Sequence, residues 1–471
     1  MNQHGDAPES QDGWWRSFKD ALRGKELDYT SGPLNRAIVM LSIPMILEMV
    51  MESVFAVVDV WFVSRLGKEA VAIVGLTETV FTLIMAIAIG LAMATTAMVA
   101  RRIGEKRRED ARNAARQAIY LGILISLPIS LVGITMSREI LELMGATPEV
   151  VEQGHYNVMI MFAGNATLLL LFLINAIFRG AGNASIAMWV LWLGNIINII
   201  LDPCLIFGWG PFPELGVTGA AVATVIGRGV AVLVQLYVLF SGKSVIQLRF
   251  RRLAVDFIVM WRLFKVAVTG MVQFLISTSS WIALTRITAE FGNEALAGYT
   301  IAIRIIIFSI LPSWGLSNAT ATLVGQNLGA GKPDRAEKSV WLTGLYNMVF
   351  LIFLSIAFIT IPEFLIELFN TQEGVVFHGS RCLRIIAFGY LFYAYGMVLV
   401  QAFNGAGDTA TPTRINFLCH WIVQIPLAWF LAIKMEMGPT GVFTAIPISE
   451  ALMTLIAALI FRRGSWKNQK I

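Results

Sequence analysis

Apolar positions in this chain gather into runs of about 20 residues or more, instead of alternating or keeping to one helical face. Twelve runs are read between polar breaks. They lie near residues 37–63, 70–100, 117–137, 157–178, 185–208 and 215–241, then near 259–288, 294–326, 339–362, 380–402, 412–434 and 440–461. A run of that length crosses a hydrocarbon core of ~30 Å only as a helix, because lipid offers no partner to a free backbone N–H or C=O. Short alternating segments, the mark of a membrane barrel, are absent. The pattern predicts an all-α integral membrane protein with twelve transmembrane helices.

The runs also repeat. Gly90 to Gly104 reads GLAMATTAMVARRIG, and 225 residues later Gly315 to Gly329 reads GLSNATATLVGQNLG. The same offset aligns LGKEAVA (Leu66 to Ala72) with FGNEALA (Phe291 to Ala297), and FRGAGNA (Phe178 to Ala184) with FNGAGDT (Phe403 to Thr409). Six spans return each copy to the side where it began, so the copies are parallel, related by an axis along the membrane normal. This predicts a tail (1–36), a first lobe (37–241), a polar, basic linker (242–258), a second lobe (259–463) and a short tail (464–471), with a cleft between the lobes.

Composition fits this plan: 56% of the 471 residues are hydrophobic, 14% are charged, and mean hydropathy is +0.70. The sequence pI of about 9.1 does not call for a nucleic-acid partner, because the basic residues act as topology signals. Twenty-five Lys and Arg fall on one side, including seven within Arg101–Arg116, and five on the other. By the positive-inside rule both termini are cytoplasmic and the protein sits in the inner (cytoplasmic) membrane. The first 36 residues hold no apolar stretch that could serve as a signal peptide. Trp14, Trp15, Phe18 and Leu22 lie roughly along one side of a helix beside Arg16, Lys19 and Arg23, which suits either an interfacial helix or a disordered tail. Cys204, Cys382 and Cys419 lie in apolar runs, which argues against disulfides, and the four histidines lack metal-ligand spacing.

Ionisable side chains inside a span cost ~2.5–3.5 kcal/mol each and so tend to face a cavity or a partner. The first run carries Glu48, Glu52 and Asp59. At ~100° per residue all three fall within about 40° of one another, on a single stripe. The fifth run places Asn195, Asn198 and Asp202 on one face, followed by Pro203, which loosens the helix and frees carbonyls. Asp59 and Asp202 stand at similar depth, where they could hold a proton or a sodium ion, or form a static hydrogen-bonded lock. Aligned through the repeat, Glu48 meets Gln273, Asp59 meets Leu284 and Asp202 meets Leu427, so the ion chemistry is expected in the first lobe. Glu48, Gln273 and Arg304 are candidates for the cleft; Arg304 either pairs with a first-lobe acid or reaches groups of its own lobe. Pro44 is a candidate bend in the first helix, with Pro312 placed likewise in the eighth. Met40, Met45, Met49 and Met51, beside Phe55 and Trp61, are either an adaptable substrate wall or lipid-facing filler.

IPMILE (Ile43 to Glu48), VVDVWFVSRLG (Val57 to Gly67), FRGAGNA, NIILDP (Asn198 to Pro203), LGVTGAAVAT (Leu215 to Thr224) and LVGQNLGAGKPDRA (Leu323 to Ala336), in that order, resemble the multidrug and toxic compound extrusion family from about Ala37 to Arg463. The resemblance implies export of bulky, often cationic amphipathic compounds in exchange for H⁺ or Na⁺. It makes Asp59, Asp202, Asn198, Asn175 and Thr224 the coupling residues and Pro44 the bend; Glu52 departs from the pattern, standing where an amide is expected, and joins the coupling candidates as a residue that could raise proton dependence. It implies no cofactor, no metal beyond Na⁺ at Asp59 and Asp202, and a monomer among membrane lipids. The seventh and tenth spans lack the acids of the NorM branch, so the chain looks closer to the DinF-like and archaeal branch. These residues point to an alternating-access antiporter and not an enzyme. A lipid-linked oligosaccharide flippase of the same superfamily is the nearest alternative, followed by a membrane-embedded enzyme and a channel.

Overall fold

The computed structural model describes residues 11–25, 27–248, 254–469 and 471, with residues 11–14 described for the backbone alone. Among them are twelve helices long and apolar enough to cross a membrane. A peripheral helix, α1 (Gln11–Arg23), precedes α2 (Leu34–Ser64), α3 (Lys68–Gly104) and α4 (Arg108–Thr135). A short α5 (Ser137–Leu143) leads to α6 (Pro148–Ala163), α7 (Asn165–Gly180), α8 (Ala184–Phe207) and α9 (Val217–Ser241). The second half runs through α10 (Phe257–Ala289), α11 (Asn293–Gly329), α12 (Pro333–Thr360), α13 (Pro362–Glu367) and α14 (Glu373–Ala406). Next come α15 (Ala410–Asn416), α16 (Ile425–Trp429) and α17 (Pro439–Arg462). Around α16 the eleventh span winds as a π-helix at Phe417–Gln424 and Phe430–Lys434.

Several helices overrun the apolar segments expected from the sequence. Helices α3 and α11 have 37 residues each, about 55 Å at 1.5 Å per residue, well beyond ~30 Å of hydrocarbon. Their polar ends stay helical because water leaves the backbone ladder intact. The basic segment Arg101–Arg116 is therefore mostly helix, interrupted only between Gly104 and Arg108. The fourth run divides at Gly164 into α6 and α7, where Asn165 turns its amide onto Ser126 O, Ser130 Oγ and Phe162 O, at 2.6–3.2 Å. Pro44 and Pro203 each sit inside a continuous helix. The linker expected at 242–258 lies partly outside the described residues; its end is fixed by Asp256, which caps α10 through Ile258 N and Val259 N and accepts from Asn113 of α4. Those hydrogen bonds hold the Asp256 carboxyl below its usual range.

The repeated segment is where the halves meet. A Cβ built on Gly90 would meet Ala267 O of α10, and one on Gly315 would meet Met45 O of α2, each at 2.4 Å. The same holds for Gly104 against Gln326 O at 2.0 Å and Gly329 against Arg101 O at 2.2 Å. The second pair is an exact 225-residue image, Gln326 corresponding to Arg101, while in the first the opposing residues are three positions out of register. Glycine is required at all four because the opposing group is backbone, which cannot rotate away. Thr322 Oγ1 and Gln326 Nε2 also cross over to donate to Arg179 O and Gly180 O, at 3.0 and 2.9 Å.

Residues 27–32 and the end of the chain at Gln469 and Ile471 lie on this face. The Tyr29 hydroxyl donates to Gly182 O (3.0 Å), while Arg335 and Asn327 donate to Tyr29 O, so residues 27–32 bridge the halves. Arg101 and Arg102 donate to Gln469 O and Ile471 O at 2.6 and 2.8 Å. Helix α1 docks through the buried Ala21, the Asp20–Arg36 ion pair (3.2 Å) and Trp189 Nε1, which donates to Leu22 O (3.0 Å), and leaves Trp15 exposed.

Candidate functional site

The acids of α2 do fall on one stripe, but they serve three separate tiers. At the tier nearest the termini, Glu48 is buried (2% exposed) and paired with Arg179 of α7, Nη1 to Oε1 3.3 Å. Asn175 Nδ2 donates to the same oxygen at 3.1 Å, and Gln235 Nε2 of α9 donates to Asn175 Oδ1 at 2.7 Å. Asn175 thus stands with Glu48 and not beside Asp59 and Asp202: it is five residues from the terminal-side end of α7, and only Glu48 of the acids lies at that depth. Arg179, whose place beside a loop would group it with the basic topology signals, turns inward onto Glu48.

One turn further along α2, Glu52 Oε2 accepts from Asn195 Nδ2 at 3.1 Å. Arg228 of α9 lies within charge range of both Glu52 and Asp59 and sits over the Phe81 ring, 5.9 Å from its centre. It holds a cation between the middle and outer tiers.

The outer tier lies seven residues beyond Glu52, about 10 Å along the helix. Asp59 and Asp202 are close enough for their charges to interact. Asn198 Nδ2 donates to Thr224 Oγ1 at 3.0 Å. Asp202 is fully buried, and Asp59 Oδ1, both Asp202 carboxylate oxygens and Asn198 Oδ1 receive no hydrogen bond. Four buried acceptor oxygens without donors are costly, and a proton or a small cation is what would satisfy them.

Between the halves lies a cavity of about 250 Å³. Its wall is mixed: Glu48, Glu52, Asn175 and Arg179 from the first half, Asn318, Gln401 and Asn404 from the second, and Phe172, Phe274 and Trp314 as aromatic faces. Of the methionines expected there, only Met49 lines it, joined by Met85 and Met93; Met40 and Met45 point into the core between α2 and α11. Gln273 is buried outside the lining. Arg304 is also outside it, exposed and within charge range of Glu78 of α3, a first-half acid.

Sequence reasoning passed over Arg228, Glu78 and Glu450. Each is an ionisable residue inside an apolar run, the same signal that singled out Glu52. Glu450 in particular means that the second half is not free of buried acids.

Truncating Arg179 to Ala leaves the Glu48 carboxylate buried without its cation. The expected cost is ~3–5 kcal/mol, read as a lower melting temperature in detergent, and adding Glu48→Gln should recover most of it. An unchanged melting temperature for Arg179→Ala would refute the pairing.

The family model described as MatE matches residues 44–204 and 270–430, at nearly the offset of the sequence repeat. A probable multidrug resistance protein NorM of Thermotoga maritima is 26% identical over 459 residues, covering 96% of this chain and 97% of its own length. A FAD transporter of Shewanella oneidensis is 28% identical, covering 92% and 95%. Among solved structures, an outward-facing conformation of a multidrug resistance MATE family transporter of the MOP superfamily superposes with a TM-score of 0.88 at 25% identity, covering 94% of this chain and 99% of that one. Two matches to one family model, over the two halves of a twelve-span fold, show that this chain belongs to the MatE family of membrane transporters.

Proposed function

We propose that the protein is a secondary antiporter that exports amphipathic, often cationic compounds in exchange for H⁺ or Na⁺. The observation that carries this reading is the set of buried, donor-less oxygens on Asp59, Asp202 and Asn198. Asp59 and Asp202 hold the ion, Asn198 and Thr224 add oxygen ligands, and Arg228 senses the change. While Asp59 is ionised, Arg228 is shared between it and Glu52. An ion that neutralises Asp59 frees the guanidinium to move toward Glu52, which cancels that residue's attraction for a cationic substrate in the cavity. The first helix then bends near Pro44 and cargo leaves on the side away from the termini.

The position of these acids, with no Asp or Glu in α10, supports the DinF-like and archaeal branch. The excess of Lys and Arg on the terminal face supports cytoplasmic termini, in a protein that works as a monomer. A flippase for a lipid-linked diphosphate, or a carrier of an anionic dinucleotide such as the Shewanella relative's namesake, needs unpaired basic groups in the cavity. Here Arg179 is already bonded to Glu48, which favours cationic and neutral cargo.

The test is ethidium transport in proteoliposomes under an imposed pH gradient or an imposed sodium gradient, each applied alone. One of the two should drive transport against the ethidium gradient. Failure of both overturns the antiporter reading.

A further inference from the structure

We propose that the second half carries a cation-binding site of its own, in which Glu450 and an aromatic wall take the ammonium head group of an organic cation. Glu450 of α17 is 4% exposed and its Oε2 receives no hydrogen bond. It lines a cavity of about 140 Å³ together with Trp281, Tyr390 and Tyr393, and the Tyr390 hydroxyl in the same wall also lacks a partner. No Lys, Arg or His is among the lining residues. An ionised carboxylate buried without a counter-charge costs several kcal/mol, so the site is built for a positive guest and against a negative one.

The wall fits a particular kind of cation. Aromatic faces attract an ammonium by ~0.5–2 kcal/mol each, whereas a bare metal ion needs several oxygen ligands, and among the described residues no His, Cys, Asp and Glu cluster could hold one. At about 140 Å³ the cavity is smaller than a drug site of ~300–1,000 Å³, and so suits a head group. Leu311 and Trp314 line both this cavity and the central one, so the rest of an elongated guest can lie between the halves. The π-helical turns of the eleventh span pack on α17, and such turns are frequent at functional sites. Through the repeat Glu450 aligns with Val225; the site belongs to this half alone.

The site adds a subsite to the efflux reading, but its test is an equilibrium measurement without a gradient, so it stands or falls apart from ion coupling. Benzyltrimethylammonium and benzenesulfonate are titrated into the full-length protein in detergent by calorimetry. The ammonium compound should bind and the sulfonate should not. Glu450→Gln should weaken binding at least tenfold, and Trp281→Leu severalfold, with melting temperature and elution volume unchanged. Absence of ammonium binding, equal binding of the sulfonate, or wild-type affinity in Glu450→Gln each overturns the proposal. Should Glu450→Gln not fold, wild-type affinity in Trp281→Leu does so.

Discussion

Replacing Asp59 with Asn should leave the protein folded and abolish ion-driven export. The exchange keeps size and one acceptor oxygen but removes the charge that an ion must neutralise, and Asn cannot take up a proton. A charge-assisted contact is worth ~1.5–3 kcal/mol, which corresponds to roughly ten- to a hundredfold weaker ion binding. Asp202→Asn should behave alike, because both its oxygens are buried without a donor and its charge interacts with that of Asp59. The measurement is gradient-driven ethidium transport in proteoliposomes, with binding of ethidium at equilibrium as the control for an intact cavity. Wild-type transport by Asp59→Asn would remove it from the coupling machinery. Loss of ethidium binding along with transport would instead make Asp59 a cargo residue.

The second large effect is expected where no chemistry occurs. Gly104→Ala and Gly329→Ala each set a methyl group against opposing backbone, at built distances of 2.0 and 2.2 Å. Overpacking of this kind costs ~1–3 kcal/mol. Here that cost falls where α3 and α11 cross, at the terminal face where the two halves meet. A shift of that size changes the balance between open and closed forms by about tenfold to a hundredfold. A cysteine placed at Asn318 in the central cavity should then react with a water-soluble thiol reagent added from the terminal face, and transport should fall. Gly75→Ala, whose Cβ meets nothing within 4 Å, is the control. Unchanged labelling in the Gly104 and Gly329 variants would show that this crossing does not seal the cavity.

The residues of the candidate site divide by how legible they were. Glu48, Glu52 and Asp59 are acids in an apolar run, and their common stripe follows from helical periodicity. Asn195, Asn198 and Asp202 follow by the same argument. Which of them meet across helices was not legible, because partners 127–143 residues apart, such as Asn175 with Glu48 or Asn195 with Glu52, depend on how α2, α7 and α8 are tilted and rotated. Arg179 shows the limit well. Its position next to a loop marks it as a surface charge, and only the packing of α7 against α2 turns it onto a buried carboxylate.

By itself the sequence determined that the chain is helical, spans a membrane twelve times and was built by duplication. Lipid cannot satisfy free backbone groups, so long apolar runs admit one conformation, and a fixed register between two copies leaves one arrangement in sequence. The tertiary structure alone decided what the shared glycines do and which acids are free. Close approach of backbones at Gly90, Gly104, Gly315 and Gly329 is a property of two helices crossing, not of either one. Whether a buried carboxylate is already paired, as Glu48 is, or lacks a partner, as Asp202 and Glu450 do, depends on the side chains that neighbouring helices bring to the same depth.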